Sequence, residues 1–206
     1  VILPECFLNP PFPEEPSACP AVVGGNVETS QAVVEALVEA LGLLAGSQGT
    51  MNNLLFGNDR FGYYETIGGG SGAGDGFPGA SGVHVHMTNT AITDPEVLEQ
   101  RFPVNCVEFS LRRGSGGCGR FRGGDGLCRE ILFREAVTVS FLGQRRRAGP
   151  RGAAGGGEGQ PGRQFIRRLD GSLESIGGMA EAALQSGEGI RIETPGGGAW
   201  GRIARV

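Results

Sequence analysis

Glycine constrains this chain more than any other residue. It supplies 39 of 206 positions and gathers in Gly68–Ser81, Arg112–Gly126, Gly149–Gly162 and Thr194–Gly201. Glycine weakens helix and strand interiors because it has the most conformational freedom to lose on folding. No short period organises these residues as in collagen. Short apolar runs with β-like character separate the clusters. The pattern therefore predicts a sheet protein with tight turns and wide glycine loops.

The lead-in Val1–Pro20 is rich in proline and reads as extended chain. A helix should follow, capped by Thr29 or Ser30, whose hydroxyls can accept from first-turn amides. Val33, Val34, Leu37, Leu41 and Leu44 recur at helical spacing, with Gly46 as a stop. Those residues predict a core-facing stripe, with Glu35 and Glu39 on the solvent face. Strands are expected at Asn53–Phe56, Tyr63–Ile67 and Val83–Met87. A short helix follows over Thr93–Arg101, where Thr93 and Glu96 have capping-box spacing and Pro95 suits the first turn. Further strands are expected at Val104–Leu111, Leu127–Phe133 and Ala136–Leu142, the last two as a hairpin through Arg134–Glu135. Phe165–Leu169 and Leu173–Ile176 should pair around Asp170–Gly171, and Gly189–Glu193 closes the series. The expected fold is α+β and β-rich: a largely antiparallel sheet, one long amphipathic helix and glycine-rich loops. Residues 1–206 show no internal linker and read as one domain or part of one.

Net charge is -4 and the pI about 5.3, which gives no general attraction to nucleic acid or anionic lipid. No apolar run is long enough for a membrane-spanning helix, and Val1–Phe7 lacks a signal-peptide pattern. A cytoplasmic location is the expectation. All 18 basic residues are arginine. Without lysine the chain cannot form a Schiff base or build a P-loop of the usual kind. Its five cysteines make no C-x-x-C pair and are expected to be free thiols, with Cys128 in the core. Arg112–Gly126 mimics an arginine-glycine RNA-binding box, but it lies between strands of an acidic protein with only Phe121 for stacking. Those arginines are expected to brace loops or meet a partner surface, and Arg145–Arg147 is expected to be a solvated turn rather than an anion site.

GGNVETSQ (Gly24–Gln31), SQGTMNN (Ser47–Asn53), GYYETIGGGSGAG (Gly62–Gly74), SGVHVHMTNT (Ser81–Thr90), TDPEVLEQRFPV (Thr93–Val104), Arg112–Gly126 and TPGGGAWG (Thr194–Gly201) stand in one order. Together they resemble the C-terminal portion of the hydantoinase B/oxoprolinase family, nearest its ATP-dependent 5-oxoprolinase branch. EEPSAC (Glu14–Cys19) looks inserted, and Ala199 stands where the closing motif usually has glycine. The resemblance implies a hydrolase that opens small cyclic amides, 5-oxoproline in that branch, with a link to glutathione metabolism. It implies an ATP-binding A-type part and an N-terminal B-type half as partners, with ATP and a divalent metal held there and no cofactor within this chain. A homo-oligomeric complete enzyme is expected, and this chain alone is expected to be inactive. The alternative is a non-catalytic module that stabilises the A-type partner.

His84 and His86 are the chain's two histidines. On a strand, i and i+2 share a face with Cα atoms roughly 6.5 Å apart. Either can act as a base or hold a carboxylate, and with Glu65 or Asp75 they can ligate a metal. They are the catalytic candidates; the alternative is a pair of sheet-surface histidines bonded to neighbours. Glu65 and Asn89 are the substrate-binding candidates, since an asparagine amide can read a lactam or carboxylate. Alternation places Tyr63 with Glu65 on one face and Tyr64 on the other. Asn89 may instead be read as a polar strand end, and Glu65 as half of a salt bridge.

Overall fold

The computed structural model describes residues 28–203; Val1–Pro20, Cys6 and Cys19 lie outside them. The elements run α1 (Glu28–Ala40), β1 (Asn53–Asn58), β2 (Phe61–Thr66), α2 (Pro95–Arg101), β3 (Val104–Arg112) and β4 (Gly126–Phe133). They continue with β5 (Val137–Leu142), β6 (Arg163–Arg167), β7 (Leu173–Ser175), β8 (Met179–Leu184) and β9 (Gly189–Glu193). Two antiparallel sheets form, ordered β2-β1-β5-β8 and β3-β4-β9-β6-β7. This is the β-rich α+β architecture expected.

The core lies between the sheets. Alternation along β5 buries Val137, Val139 and Phe141 and turns Thr138 outward, as a half-buried strand requires. Leu54, Phe56 and Leu184 join them from one sheet; Ile131, Phe133, Ile166, Ile190 and Ile192 come from the other. Phe56 packs on Tyr63 at 4.9 Å and on Phe133 at 5.1 Å between ring centroids. Each fully buried side chain of this size contributes about 1.5–3 kcal/mol.

Several expectations need correction. Arg134–Glu135 does not close a hairpin, because β4 and β5 belong to different sheets and the chain crosses layers there. Val83–Met87 is not a strand: Val83 makes an isolated bridge to Gly69, and His86 adopts φ 53° in a turn. The alternating geometry assumed for His84 and His86 is therefore lost. β8 carried no strand signal. MAEAAL consists of good helix formers, yet its register against β5, with Leu184 opposite Val137, overrides that preference. Asp94, not Thr93, caps α2 by accepting from Glu96 and Val97 amides.

The largest correction is α1. Its buried residues are Glu28, Gln31 and Glu35, whereas Val33, Leu37 and Leu41 are exposed. The helix is inverted relative to its apolar stripe. Thr29 and Ser30 lie within the helix rather than capping it, and it stops before Gly46. Gly42, at φ 63°, donates to Glu39 while Leu43 donates to Val38. That pair of bonds is a Schellman stop, which needs a left-handed residue.

The glycine clusters are not wide loops. Consecutive amides of the closing segment donate to three neighbouring segments in turn: Gly196 to Gln160, Gly197 to Gly124 and Gly198 to Gly46. Ala199 then returns to Gly157 and Trp200 to Phe121. A cycle of three matches an extended helix of three residues per turn, not a sheet of period two. The segments pack backbone to backbone. A Cβ on Gly197 would fall 1.9 Å from the Ser71 carbonyl oxygen, although Gly197 has no positive φ. Glycine is required there for close approach.

Candidate functional site

α1 turns polar groups inward and finds partners for most of them; Glu28 Oε2 and Gln31 Oε1 stay buried without one. Glu28 Oε1 accepts from Thr50 Oγ1 at 2.9 Å and from the Met51 amide at 2.8 Å. Gln31 donates to Thr88 Oγ1 at 2.6 Å. Glu35 accepts from the Ser47 amide at 2.8 Å and pairs with His86 and Arg145. Two of these ties, Gln31–Thr88 and Glu35–His86, fix the irregular segment after Val85. Burial raises the Glu28 carboxyl above its ordinary range.

Arg145–Arg147 is only partly a solvated turn: Arg147 is exposed, whereas Arg146 is half-buried and donates to Gln164 Oε1, the Gln144 carbonyl and Asn52 Oδ1 at 2.5–2.7 Å. Desolvation lowers its pKa to about 10. Arg112, the buried first residue of the arginine-glycine stretch, donates to the Pro161 and Thr194 carbonyls and pairs with Glu193. It braces loops, as expected. Cys106, Cys118 and Cys128 are free thiols, and Cys128 is buried.

Glu65 lies on β2 and is buried. Arg129 of β4 grips it from the opposite sheet, Nε to Oε1 at 2.8 Å and Nη2 to Oε2 at 3.0 Å. Tyr63, on the same face as anticipated, donates its hydroxyl to Glu65 Oε2 at 2.8 Å. Burial pushes the Tyr63 phenol up to about 12. Tyr64 points away and donates to Asn53. Glu65 is thus an internal salt-bridge partner whose two oxygens are both engaged.

A pocket of about 220 Å³ opens beside β2. Tyr64, Glu65 and Thr66 line it from the strand, and Thr88, Asn89 and Thr90 face them from the irregular segment. The structure therefore brings Glu65 and Asn89 together. It does not bring His84 and His86 into that lining. His86 sits next to Met87 of the wall and pairs with Glu35; His84 keeps a buried Nδ1 without a hydrogen-bond partner. Desolvation lowers the His84 pKa, favouring the neutral ring. Thr66 Oγ1 is likewise buried without a partner. Thr66 was missed as a wall residue; the placement of Glu65 beside Asn89 depended on how the chain returns to β2, which carries no local signal. Among the described residues no group of three or more His, Cys, Asp or Glu is arranged to hold a metal ion. The set of His84 and His86 with Glu65 or Asp75 does not converge.

The sequence profile of hydantoinase B/oxoprolinase matches residues 1–203. The chain belongs to the hydantoinase B/oxoprolinase family. It is 48% identical to the 5-oxoprolinase of Dictyostelium discoideum over 98% of this chain and 16% of that protein. It is 53% identical to 5-oxoprolinase 1 of Arabidopsis thaliana over 90% of this chain and 15% of that protein. The chain thus spans about one-sixth of the length of these relatives. The crystal structure of the ATP-dependent caprolactamase from Pseudomonas jessenii superposes with a TM-score of 0.64 at 27% identity, covering 81% of this chain and 32% of that one. This family member has no helix, among its described residues, long and apolar enough to cross a membrane.

Proposed function

We propose that this chain is a portion of an ATP-dependent hydrolase that opens a lactam ring, of 5-oxoproline or hydantoin type, and that it supplies one wall of the hydrolytic site. The observation that carries this reading is the pocket beside β2. Asn89, Thr88 and Thr90 offer amide and hydroxyl groups across from Thr66, whose buried hydroxyl lacks a partner. A ring amide has both a donor and an acceptor to satisfy such groups. Glu65, engaged by Arg129 and Tyr63, anchors the wall on β2; His84 lies outside this lining, and its ring, held neutral by desolvation, is the base candidate for the part of the site beyond it. His86 acts through Glu35 to position the wall. ATP binding, lactam activation and any divalent metal belong to the A-type part and the remainder of the B-type region.

A second reading has its own support: Glu65 and His86 are already committed to Arg129 and Glu35. Groups so engaged suit a structural module that stabilises the ATP-binding partner. ATP-dependent glutamate release from 5-oxoproline by the assembled enzyme separates the two. Loss of an acid/base group costs about 10²-fold or more, so His84→Ala should lower turnover at least that far with little change in melting temperature. Asn89→Ala should raise KM. Unchanged kinetics in both variants overturns the catalytic reading and leaves the module.

A further inference from the structure

The outward face of α1 consists of Val33, Ala36, Leu37, Ala40 and Leu41, every one exposed. Val33, Leu37 and Leu41 are 51%, 56% and 61% exposed. Their spacing, i, i+3, i+4, i+7 and i+8, is that of a helix face made for burial, and it contains no charge. The two alanines would let another helix approach to an axial separation of about 8–10 Å. The other face is already fastened by Glu28, Gln31 and Glu35. Rotating α1 to hide its leucines would break those bonds and strand the buried carboxylates.

We propose that this face docks an apolar helix from the remainder of the B-type polypeptide, making α1 the bridge between that remainder and the β-rich body. The matched relatives indicate the occupant. The chain covers 16% of the Dictyostelium protein and 36% of a Methanocaldococcus jannaschii relative to which it is 38% identical. Most of each relative therefore lies outside the match, and that remainder is the occupant proposed for this face. A lipid surface fits poorly, because membrane-surface helices set arginine and lysine opposite the apolar stripe. Here the opposite side carries glutamates that face the protein.

The test uses two proteins: the 206-residue chain, and the Dictyostelium 5-oxoprolinase carrying this chain in place of its aligned segment. Each is made with Leu37→Glu plus Leu41→Glu, and with the apolar control Leu37→Met. In the 206-residue chain the double variant should leave the melting temperature unchanged, since both side chains face solvent. In the long protein it should lower the melting temperature and raise proteolytic cutting within residues 36–43 at least about ten-fold, while the control behaves as the parent. This readout involves no catalysis, so it stands or falls separately from the lactamase reading. Equal cutting in parent and double variant of the long protein overturns the proposal. So does a parent 206-residue chain that sediments as a dimer, becomes monomeric in the double variant and shows no effect in the long protein; the occupant would then be a second copy.

Discussion

Arg129 and Glu65 meet inside the protein from opposite sheets, bidentate, with the arginine fully buried. Burying two charges costs several kcal/mol each before their attraction is counted. The pair is nevertheless well supplied: Tyr63 donates to Glu65, the Thr93 carbonyl accepts from Arg129, and the Phe109 ring lies 4.8 Å from the guanidinium carbon. It also joins the pocket to the core, since the carboxylate that lines the cavity is anchored on β4.

Arg129→Met should therefore destabilise the chain by about 3–5 kcal/mol, because it leaves the Glu65 charge buried and unpaired. Adding Glu65→Leu should recover most of that loss. Urea unfolding of both variants measures it. A single variant as stable as the parent would show that the charge escapes to solvent.

Gly197→Ala should prevent folding or cost several kcal/mol, since its Cβ would overlap the Ser71 carbonyl oxygen. Gly62→Ala is the contrast. Gly62 lies in β2 with open space around it and no positive φ. Alanine there should be neutral or stabilising by up to about 1 kcal/mol. Thermal melts of the two variants check whether glycine serves packing or flexibility.

Glu35→Ala should loosen α1 without unfolding the sheets. It strips the Ser47 amide and His86 of a buried acceptor, a loss of about 1–3 kcal/mol. Hydrogen exchange should speed up in residues 28–49 and 84–90, with β4 and β9 unchanged. Uniform acceleration would contradict a local role.

Stability should respond to pH through two buried groups of opposite sign. Burial raises the Glu28 pKa above its ordinary value of 4.5. The folded chain holds that proton more tightly, so the contribution is complete below pH 4.5 and disappears as pH climbs through the folded value. Burial lowers the His84 pKa below 6.5. There the unfolded chain takes the proton first, so stability is retained above pH 6.5 and falls as pH drops through the folded value. Unfolding free energies measured across pH should lose part of the decline that starts above pH 4.5 in Glu28→Gln and part of the decline that starts below pH 6.5 in His84→Asn. Curves parallel to the parent would remove both assignments.

What the sequence determined by itself was local or cumulative. Short apolar runs divided by glycine placed β1, β4, β5, β6 and β9 to within a few positions, because a run of that length between turn residues suits a buried strand. Asp170–Gly171 announced a hairpin, and Gly171 takes φ 82° between β6 and β7. Seven segments in order marked the family. What only the tertiary structure decided were choices between remote partners. A 3.6-residue period locates the apolar stripe of α1 but not which way the helix faces; that was settled by Thr50, Ser47, His86 and Thr88, which bond one oxygen of Glu28, both of Glu35 with Arg145, and the Gln31 amide nitrogen, leaving Glu28 Oε2 and Gln31 Oε1 buried without a partner. Glycine abundance cannot distinguish a flexible loop from a backbone contact, since the contact of Gly197 is with Ser71, far along the chain. Glu65 could be read equally as a ligand or an ion-pair member until Arg129 arrived from the other sheet. Burial and pairing are properties of the assembled interior, and no window of local sequence contains them.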